Sequence, residues 1–133
     1  MAATILTATG WEKDGIPLGV WTNRADLVDD PIDGILVNAG VTADALAGND
    51  SITGNNDNDN GDGILNNGTI NTGEGKDTIT GTGTGTDSVG INNKAGGTIK
   101  TGDGKDSIIG KGGRFGIFND GTINTDNRGD EGD

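Results

Sequence analysis

The sequence contains no cysteine and no histidine among its 133 residues. The absence of cysteine excludes a disulfide scaffold and a zinc site built from thiolates. The absence of histidine removes the commonest transition-metal ligand and the usual general base. No apolar run approaches the ~18 residues of a membrane-spanning helix, so we expect no membrane insertion. The formal net charge of -12 argues against a nucleic-acid partner and favours bound cations.

Large apolar side chains are also scarce. Hydrophobic residues make up 29% of the chain and aromatic residues 3%, whereas glycine (27), threonine (17) and asparagine (15) account for nearly half. Fixing one residue's backbone costs about 1–2 kcal/mol, and a buried isoleucine or leucine returns about 2 kcal/mol. An ordinary two-layer core is therefore out of reach, and composition alone allows disorder. Order would need dense backbone ladders, regular stacking, or metal ions that bind only the folded form.

A repeat supplies regular stacking. Residues 68–79 return as residues 97–108 at an offset of 29, a third copy begins at Gly121, and a weaker copy covers residues 48–54. A Gly-Ile pair precedes each copy, and the period is 24–29 residues. Such self-similarity is typical of solenoids, in which each repeat buries its apolar side against its neighbours.

Each repeat contains three short segments that place an apolar residue among polar and β-branched ones, a pattern typical of strands, with glycine-rich turns between them. No segment has the spacing of an amphipathic helix. The sequence therefore predicts an all-β, parallel β-solenoid of about four coils, three short strands per coil, wound right-handed by the crossover rule. The predicted interior columns are Ile70, Ile99 and Ile123; Ile79 and Ile108; and Ile64, Ile91 and Ile117.

The two ends differ from the repeat. Residues 1–33 hold both tryptophans and both prolines, and we expect them to form an N-terminal cap or leader before a solenoid of residues 34–133, with Trp11 and Trp21 covering the first coil. The first residues lack a basic region, so we expect no cleavable signal peptide. Nothing after Ile123 looks able to cover the last coil, which predicts an open edge able to pair with another molecule.

The motif Gly-x-Gly-x-Asp-x-(Ile/Val) occurs at residues 73–79, 83–89 and 102–108, with a shortened form at 48–52. It resembles the nonapeptide of the repeats-in-toxin (RTX, haemolysin-type) calcium-binding family, in a divergent form. The resemblance implies Ca²⁺ held by turn carbonyls and aspartates, and an extracellular or cell-surface location. The ligands it implies are Asp50, Gly73, Gly75, Asp77, Gly83, Gly85, Asp87, Gly102, Gly104 and Asp106.

This motif departs from the family pattern in two ways. Threonine replaces the first glycine of the nonapeptide, and Lys76 and Lys105 precede the aspartate in two copies, where a cation should weaken calcium binding. The alternative interpretation is that Asp77 and Asp106 only cap turns by accepting backbone N–H bonds.

A second acidic cluster covers residues 57–63. An EF-hand needs acidic residues at positions 1, 3 and 5, glycine at 6 and glutamate at 12, but counting from Asp57 puts Gly61 at position 5 and Gly68 at position 12. Two interpretations stay open: a solvated turn between coils, and a calcium turn that uses Asp57, Asp59 and Asp62.

Threonine forms a further regular feature. Thr69, Thr98 and Thr122 should stack on an outer face beside a column of Asn71, Lys100 and Asn124. This array resembles an ice-binding surface, although Lys100 interrupts it. The alternative is that threonine suits a pleated surface and that polar ladders stabilise stacking.

Two functions follow from these features. The first is a calcium-binding extracellular protein in which Ca²⁺ stabilises the solenoid; the alternative is a structural protein that forms fibres by end-to-end coil stacking. We expect no enzymatic activity, because the acidic residues lie in turns and no nucleophile–base pair is present.

Overall fold

The computed structural model describes residues 3–125, and every regular element in that range is a β-strand. The strands are β1 (Thr4–Leu6), β2 (Gly10–Lys13), β3 (Ile16–Val20), β4 (Leu27–Asp30), β5 (Ile35–Val37), β6 (Thr42–Asp44), β7 (Ser51–Asn56), β8 (Asp62–Asn66), β9 (Thr69–Asn71), β10 (Thr78–Gly83), β11 (Val89–Asn93), β12 (Thr98–Lys100), β13 (Ser107–Lys111), β14 (Phe115–Asn119) and β15 (Thr122–Asn124).

These strands form three sheets, and one coil contributes one strand to each. Sheet A has the order β14-β11-β8-β5-β1-β2-β3, sheet B the order β13-β10-β7-β4, and sheet C the order β15-β12-β9-β6. The chain visits sheets B, A and C in turn, so coil 1 contains β4–β6, coil 2 β7–β9, coil 3 β10–β12 and coil 4 β13–β15. Every ladder between coils is parallel. The prediction of an all-β parallel solenoid of about four coils is confirmed.

The interior columns have the predicted register. Ile99 pairs with Ile70 and Ile123, Ile79 with Ile108, and Ile91 with Ile64 and Ile117. The isoleucines that the two middle coils contribute to these columns are completely buried. Burying each such side chain contributes about 2 kcal/mol. The outer column of Thr69, Thr98 and Thr122 and its neighbour of Asn71, Lys100 and Asn124 also pair as expected.

Glycine allows sheets A and B to approach each other closely. A Cβ at Gly54 would collide with the carbonyl oxygen of Gly63, and one at Gly81 would collide with that of Gly90. In both coils, a glycine of sheet B thus faces the backbone of a glycine of sheet A, and the space between them holds a hydrogen atom but no side chain. This close contact replaces the layer of large side chains that the composition lacks.

The N-terminal segment adds three strands to sheet A. β1 pairs in parallel with β5, and β2 and β3 continue the sheet in antiparallel fashion. Trp21 is 7% exposed within the core cluster, and Trp11 packs beside it with ring centroids 4.9 Å apart. The parallel ladder of sheet B already begins at Leu27, inside the segment 1–33 that the sequence sets apart.

At the other end, β13, β14 and β15 have no strand partner beyond coil 4 within residues 3–125. Ile109, Phe115 and Ile117 are 39–41% exposed there. The expectation about the chain after Ile123 falls mostly on residues 126–133, which lie outside the described range.

Candidate metal centre

The corner between sheets C and B, where each coil passes to the next, collects four aspartates into one column. Asp26, Asp50, Asp77 and Asp106 each precede a strand of sheet B. The Oδ1 atom of each later member accepts the backbone N–H of the member one coil earlier: Asp26 N–H to Asp50 (2.8 Å), Asp50 N–H to Asp77 (2.8 Å) and Asp77 N–H to Asp106 (2.9 Å). We call these four residues the Asp column.

Glycine shapes the turns that carry the column. Gly75 and Gly104 have φ of 145° and 146°, and a Cβ at Gly104 would collide with the carbonyl oxygen of Gly75. Gly73 and Gly102, the first glycines of the two motifs, also have positive φ values, of 91° and 78°. The Gly-x-Gly-x-Asp spacing therefore builds a tight turn whose aspartate points back toward the previous coil.

The second carboxylate oxygens of the middle members have no partner. Asp50 is 2% exposed and Asp77 is completely buried, and the Oδ2 atom of each lacks a hydrogen bond within the described residues. Burial is the main cause that raises the pKa of Asp50 to about 6; the charges of Asp77 and Asp26 contribute to this rise, and the N–H of Asp26 opposes it. Burial also raises the pKa of Asp77, and the charge of Asp106 adds to that effect. Two costly negative charges therefore lie one coil apart.

Threonine hydroxyls lie at the start of the same turns. Thr72 and Thr101 are completely buried. The Thr72 hydroxyl donates to the carbonyl oxygen of Thr101 at 3.1 Å. The proximity of the same hydroxyl to Asp77 lowers the pKa of that carboxyl and partly offsets the effect of burial. The hydroxyl of Thr101 has no partner within residues 3–125. The corner thus holds three unsatisfied buried oxygen atoms, on Asp50, Asp77 and Thr101, which are the atom type that Ca²⁺ prefers.

The remaining predicted ligands lie elsewhere. Gly83 ends β10, and Gly85 and Asp87 lie in the turn between β10 and β11, at the corner of sheets B and A. In that turn the Ser88 hydroxyl donates to the carbonyl oxygen of Gly85 at 2.6 Å, and Asp87 is exposed. The motif at 83–89 therefore does not contribute to the Asp column.

The second acidic cluster occupies the same B–A corner one coil earlier. Asp57 and Asp59 are exposed, and the backbone N–H of Asp87 donates to the carbonyl oxygen of Asp59 at 3.3 Å. Asp62 accepts a hydrogen bond from the side chain of Asn92 at 2.9 Å. Its carboxylate therefore already has a protein partner, which agrees with a turn stabilised by hydrogen bonds.

In the described residues, carboxylates alone do not build a complete cation site. Among residues 3–125 no group of three or more aspartate, glutamate, histidine or cysteine side chains is arranged to hold a metal ion. A cation in the Asp column would need hydroxyl, carbonyl or water oxygens as well, which is common for Ca²⁺ because it takes six to eight oxygen ligands.

Sequence reasoning missed one member of the column and a second polar ladder. Asp26 lacks the glycine motif, and its signal is only an aspartate two residues before an apolar strand residue. The second ladder joins Asn66, Asn93 and Asn119 at 2.8 Å per step, at the corner of sheets A and C. Its signal is the recurring Ile-x-Asn at the end of each sheet A strand in coils 2 to 4.

Comparison with known proteins adds no further assignment. No family model, no curated protein and no solved structure matches the chain. No helix in the described part of the chain is long and apolar enough to cross a membrane.

Proposed function

We propose that this protein is a calcium-binding solenoid in which Ca²⁺ binds along the Asp column and stabilises the stacked coils. The observation that carries the proposal is the pair of buried, unpartnered Oδ2 atoms on Asp50 and Asp77. The Thr101 hydroxyl, one turn beyond Asp77 along the same corner, is a third oxygen without a partner among residues 3–125. A divalent cation would neutralise the two charges and convert their repulsion into a link between coils.

Ions would bind between adjacent turns: one between Asp50 and Asp77, and another between Asp77 and the next turn, which carries Thr101 and Asp106. Of these, Asp50, Asp77 and Asp106 belong to the set that the family resemblance implies. An extracellular location is part of the proposal and depends on that resemblance alone. It suits a weak site, because extracellular calcium modules work with dissociation constants of about 10⁻⁴ to 10⁻³ M.

The proposal predicts that Ca²⁺ raises the thermal stability of chelator-treated protein, and that Asp77→Asn removes this gain. Asparagine keeps an Oδ1 acceptor for the Asp50 N–H but removes the charge that the ion would neutralise. Ligand at 100 times its dissociation constant stabilises the folded state by about 2.7 kcal/mol. The measurement is the unfolding midpoint by far-UV circular dichroism across a Ca²⁺ titration, with Mg²⁺ as a second ion.

The matched control is Asp87→Asn, which removes the same charge from the same motif at the other corner, where the residue is exposed. It should keep the full calcium response. A midpoint that does not change with Ca²⁺ in the unmodified protein would contradict the proposal. The aspartates would then act only through the backbone hydrogen bonds that they accept.

Self-assembly is the second candidate, and one observation favours it. The outer strands of coil 4 present unpaired edges within the described residues, together with the exposed apolar side chains of Ile109, Phe115 and Ile117. Unprotected strand edges of this kind pair with other chains. The two candidates are compatible, since calcium bound in the column would also order the coil that carries this edge.

A further inference from the structure

A cavity of about 190 Å³ lies on the outer side of sheet A between coils 3 and 4, remote from the Asp column. Its lining combines an apolar wall, two cations and one amide, from residues Val89, Asn92, Lys94, Arg114, Phe115 and Phe118. The calcium proposal uses none of these residues, and the self-assembly candidate shares only Phe115 with them. The inference therefore stands independently of calcium binding.

The amide of Asn92 is an unsatisfied acceptor. Asn92 is only 7% exposed, although it lines the cavity. Its Nδ2 atom donates to Asp62 at 2.9 Å, which orients the amide, and its Oδ1 atom is buried without a partner in residues 3–125. Leu65 and Phe118 are the register neighbours of Asn92 in the adjacent coils, so an amide is not required by the sheet itself. The Oδ1 atom has no exposed surface, so a small shift of the cavity wall would bring it within reach of a ligand hydroxyl, which would satisfy it.

The aromatic rings form the apolar wall. The centroids of Phe115 and Phe118 lie 5.3 Å apart with their planes at 46°. Phe115 is 41% exposed, in a chain with four aromatic residues in total. A planar ring placed against this pair would make the tilted contacts that aromatic groups prefer.

Two cations flank the rings. The guanidinium carbon of Arg114 lies 5.3 Å from the centroid of Phe115, so the side chain is held over the ring. Neither Arg114 nor Lys94 forms an ion pair with a carboxylate within the described residues. The protein has a net charge of -12, so two neighbouring cations without carboxylate partners are unusual in it. Such a pair can bind a small anion.

We propose that this cavity binds a small hydroxylated aromatic carboxylate. The carboxylate would meet Arg114 and Lys94, the ring would pack on Phe115 and Phe118, and the hydroxyl would donate to Asn92 Oδ1. A nucleotide is too large for the cavity, and a long polyanion is repelled by the net charge of the protein.

The test uses 4-hydroxybenzoate as the probe in isothermal titration calorimetry with the full chain. Two analogues divide the contributions: benzoate lacks the hydroxyl, and 4-hydroxybenzyl alcohol lacks the charge. We expect a dissociation constant of about 1 mM or tighter for 4-hydroxybenzoate, and binding at least about tenfold weaker for each analogue. No detectable heat at about 10 mM probe, or equal binding of benzoate, would overturn the proposal.

Two variants locate the binding site. Asn92→Leu introduces the residue type found at the paired position in coil 2, which is Leu65. This variant should bind 4-hydroxybenzoate no more tightly than benzoate, and its affinity for benzoate should be unchanged. Arg114→Gln should weaken both carboxylates by about fivefold or more, whereas Lys111→Gln, an exposed cation outside the cavity, should change neither. Unchanged binding in Arg114→Gln, with unfolding midpoints equal across the variants, would also overturn it.

Discussion

Asp30 and Asp50 are both 2% exposed, yet their surroundings shift their carboxyl pKa values in opposite directions. Burial raises the pKa of Asp30, but the Lys13 ammonium, the N–H groups of Asp33 and Ile32 and the Thr4 hydroxyl outweigh that effect and bring the pKa to about 2. Asp50 accepts the single N–H of Asp26, and burial raises its pKa to about 6. The number of donors around the carboxylate decides the sign.

The stability of the cation-free protein should therefore fall as the pH rises from about 4 to about 6. A raised pKa means that the folded state binds the proton of Asp50 more tightly than the unfolded state does, so this contribution is lost as the pH rises through that range. The opposite holds for Asp30, whose contribution is present above about pH 4 and is lost toward pH 2. These two groups together favour a stability optimum near pH 4, where the two ranges meet.

The variant Asp50→Asn tests this at pH 7 in chelator. Asparagine keeps the acceptor for Asp26 and removes the buried charge, so we expect a gain on the order of 1–2 kcal/mol in the free energy of unfolding, and a gain about one third as large at pH 4.5. Urea unfolding at the two pH values measures it, with the exposed Asp57→Asn as control. If Asp50→Asn were less stable than the unmodified protein at pH 7, the charged carboxylate of Asp50 would not be destabilising.

At the scale of the strands, polar ladders fix the corners while isoleucine columns fill the interior. Asn93 is completely buried, accepts from Asn66 and donates to Asn119, each at 2.8 Å. It also donates to the carbonyl oxygens of Thr122 at 3.1 Å and Gly97 at 3.2 Å. One amide thus links three coils and satisfies backbone oxygens where sheet A passes to sheet C.

We expect Asn93→Leu to lower the free energy of unfolding by about 2–4 kcal/mol, although leucine has a similar volume. The substitution leaves buried carbonyl and amide groups without partners, and such groups carry their full desolvation cost. Denaturant unfolding measures the loss. Asn71→Leu, on the half-buried outer column of sheet C, should change stability by no more than about 0.5 kcal/mol. Equal stability of the two variants would refute a structural role for the ladder.

The same strands show what sequence patterns can and cannot predict. The isoleucine columns were predictable because a repeat of fixed period and an apolar residue between polar ones determine both stacking and direction. The asparagine ladder follows from the same alternation and was missed: Asn66 lies two residues after Ile64 and therefore faces inward, whereas Asn71 directly follows Ile70 and faces outward. Asp26 was missed because its turn reaches the same place without the two glycines.

The N-terminal strands illustrate another limit. The tryptophans indicated a segment that packs on the first coil, but nothing in residues 4–6 indicates that they extend sheet A in parallel beside β5. Asp30 helps to hold β1 in this position, because it accepts both the N–H and the hydroxyl of Thr4, at 3.0 and 2.8 Å. Long-range contacts of this kind leave no periodic signal in the sequence.

On the scale of the whole molecule, the two ends of the solenoid are unlike. Sheet A extends three strands past coil 1, so β3 lies about 14 Å beyond the level at which sheets B and C end in β4 and β6. At the opposite end all three sheets stop together at coil 4 within the described residues. A fibre built from this chain would therefore have to join β14 of one copy to β3 of the next.

That geometry makes self-assembly testable with one variant at each end. Ile117→Lys puts a charge on the outer strand of coil 4, and Leu18→Lys puts one on β3, where leucine is 56% exposed. A head-to-tail fibre needs both ends, so either substitution should stop growth, because an edge lysine opposes strand pairing. Sedimentation velocity over a concentration series in calcium, with electron microscopy of the pellet, measures it. A monomer at every concentration would contradict the fibre hypothesis. A closed dimer that Leu18→Lys leaves intact would also contradict it, because pairing through coil 4 alone ends at two copies.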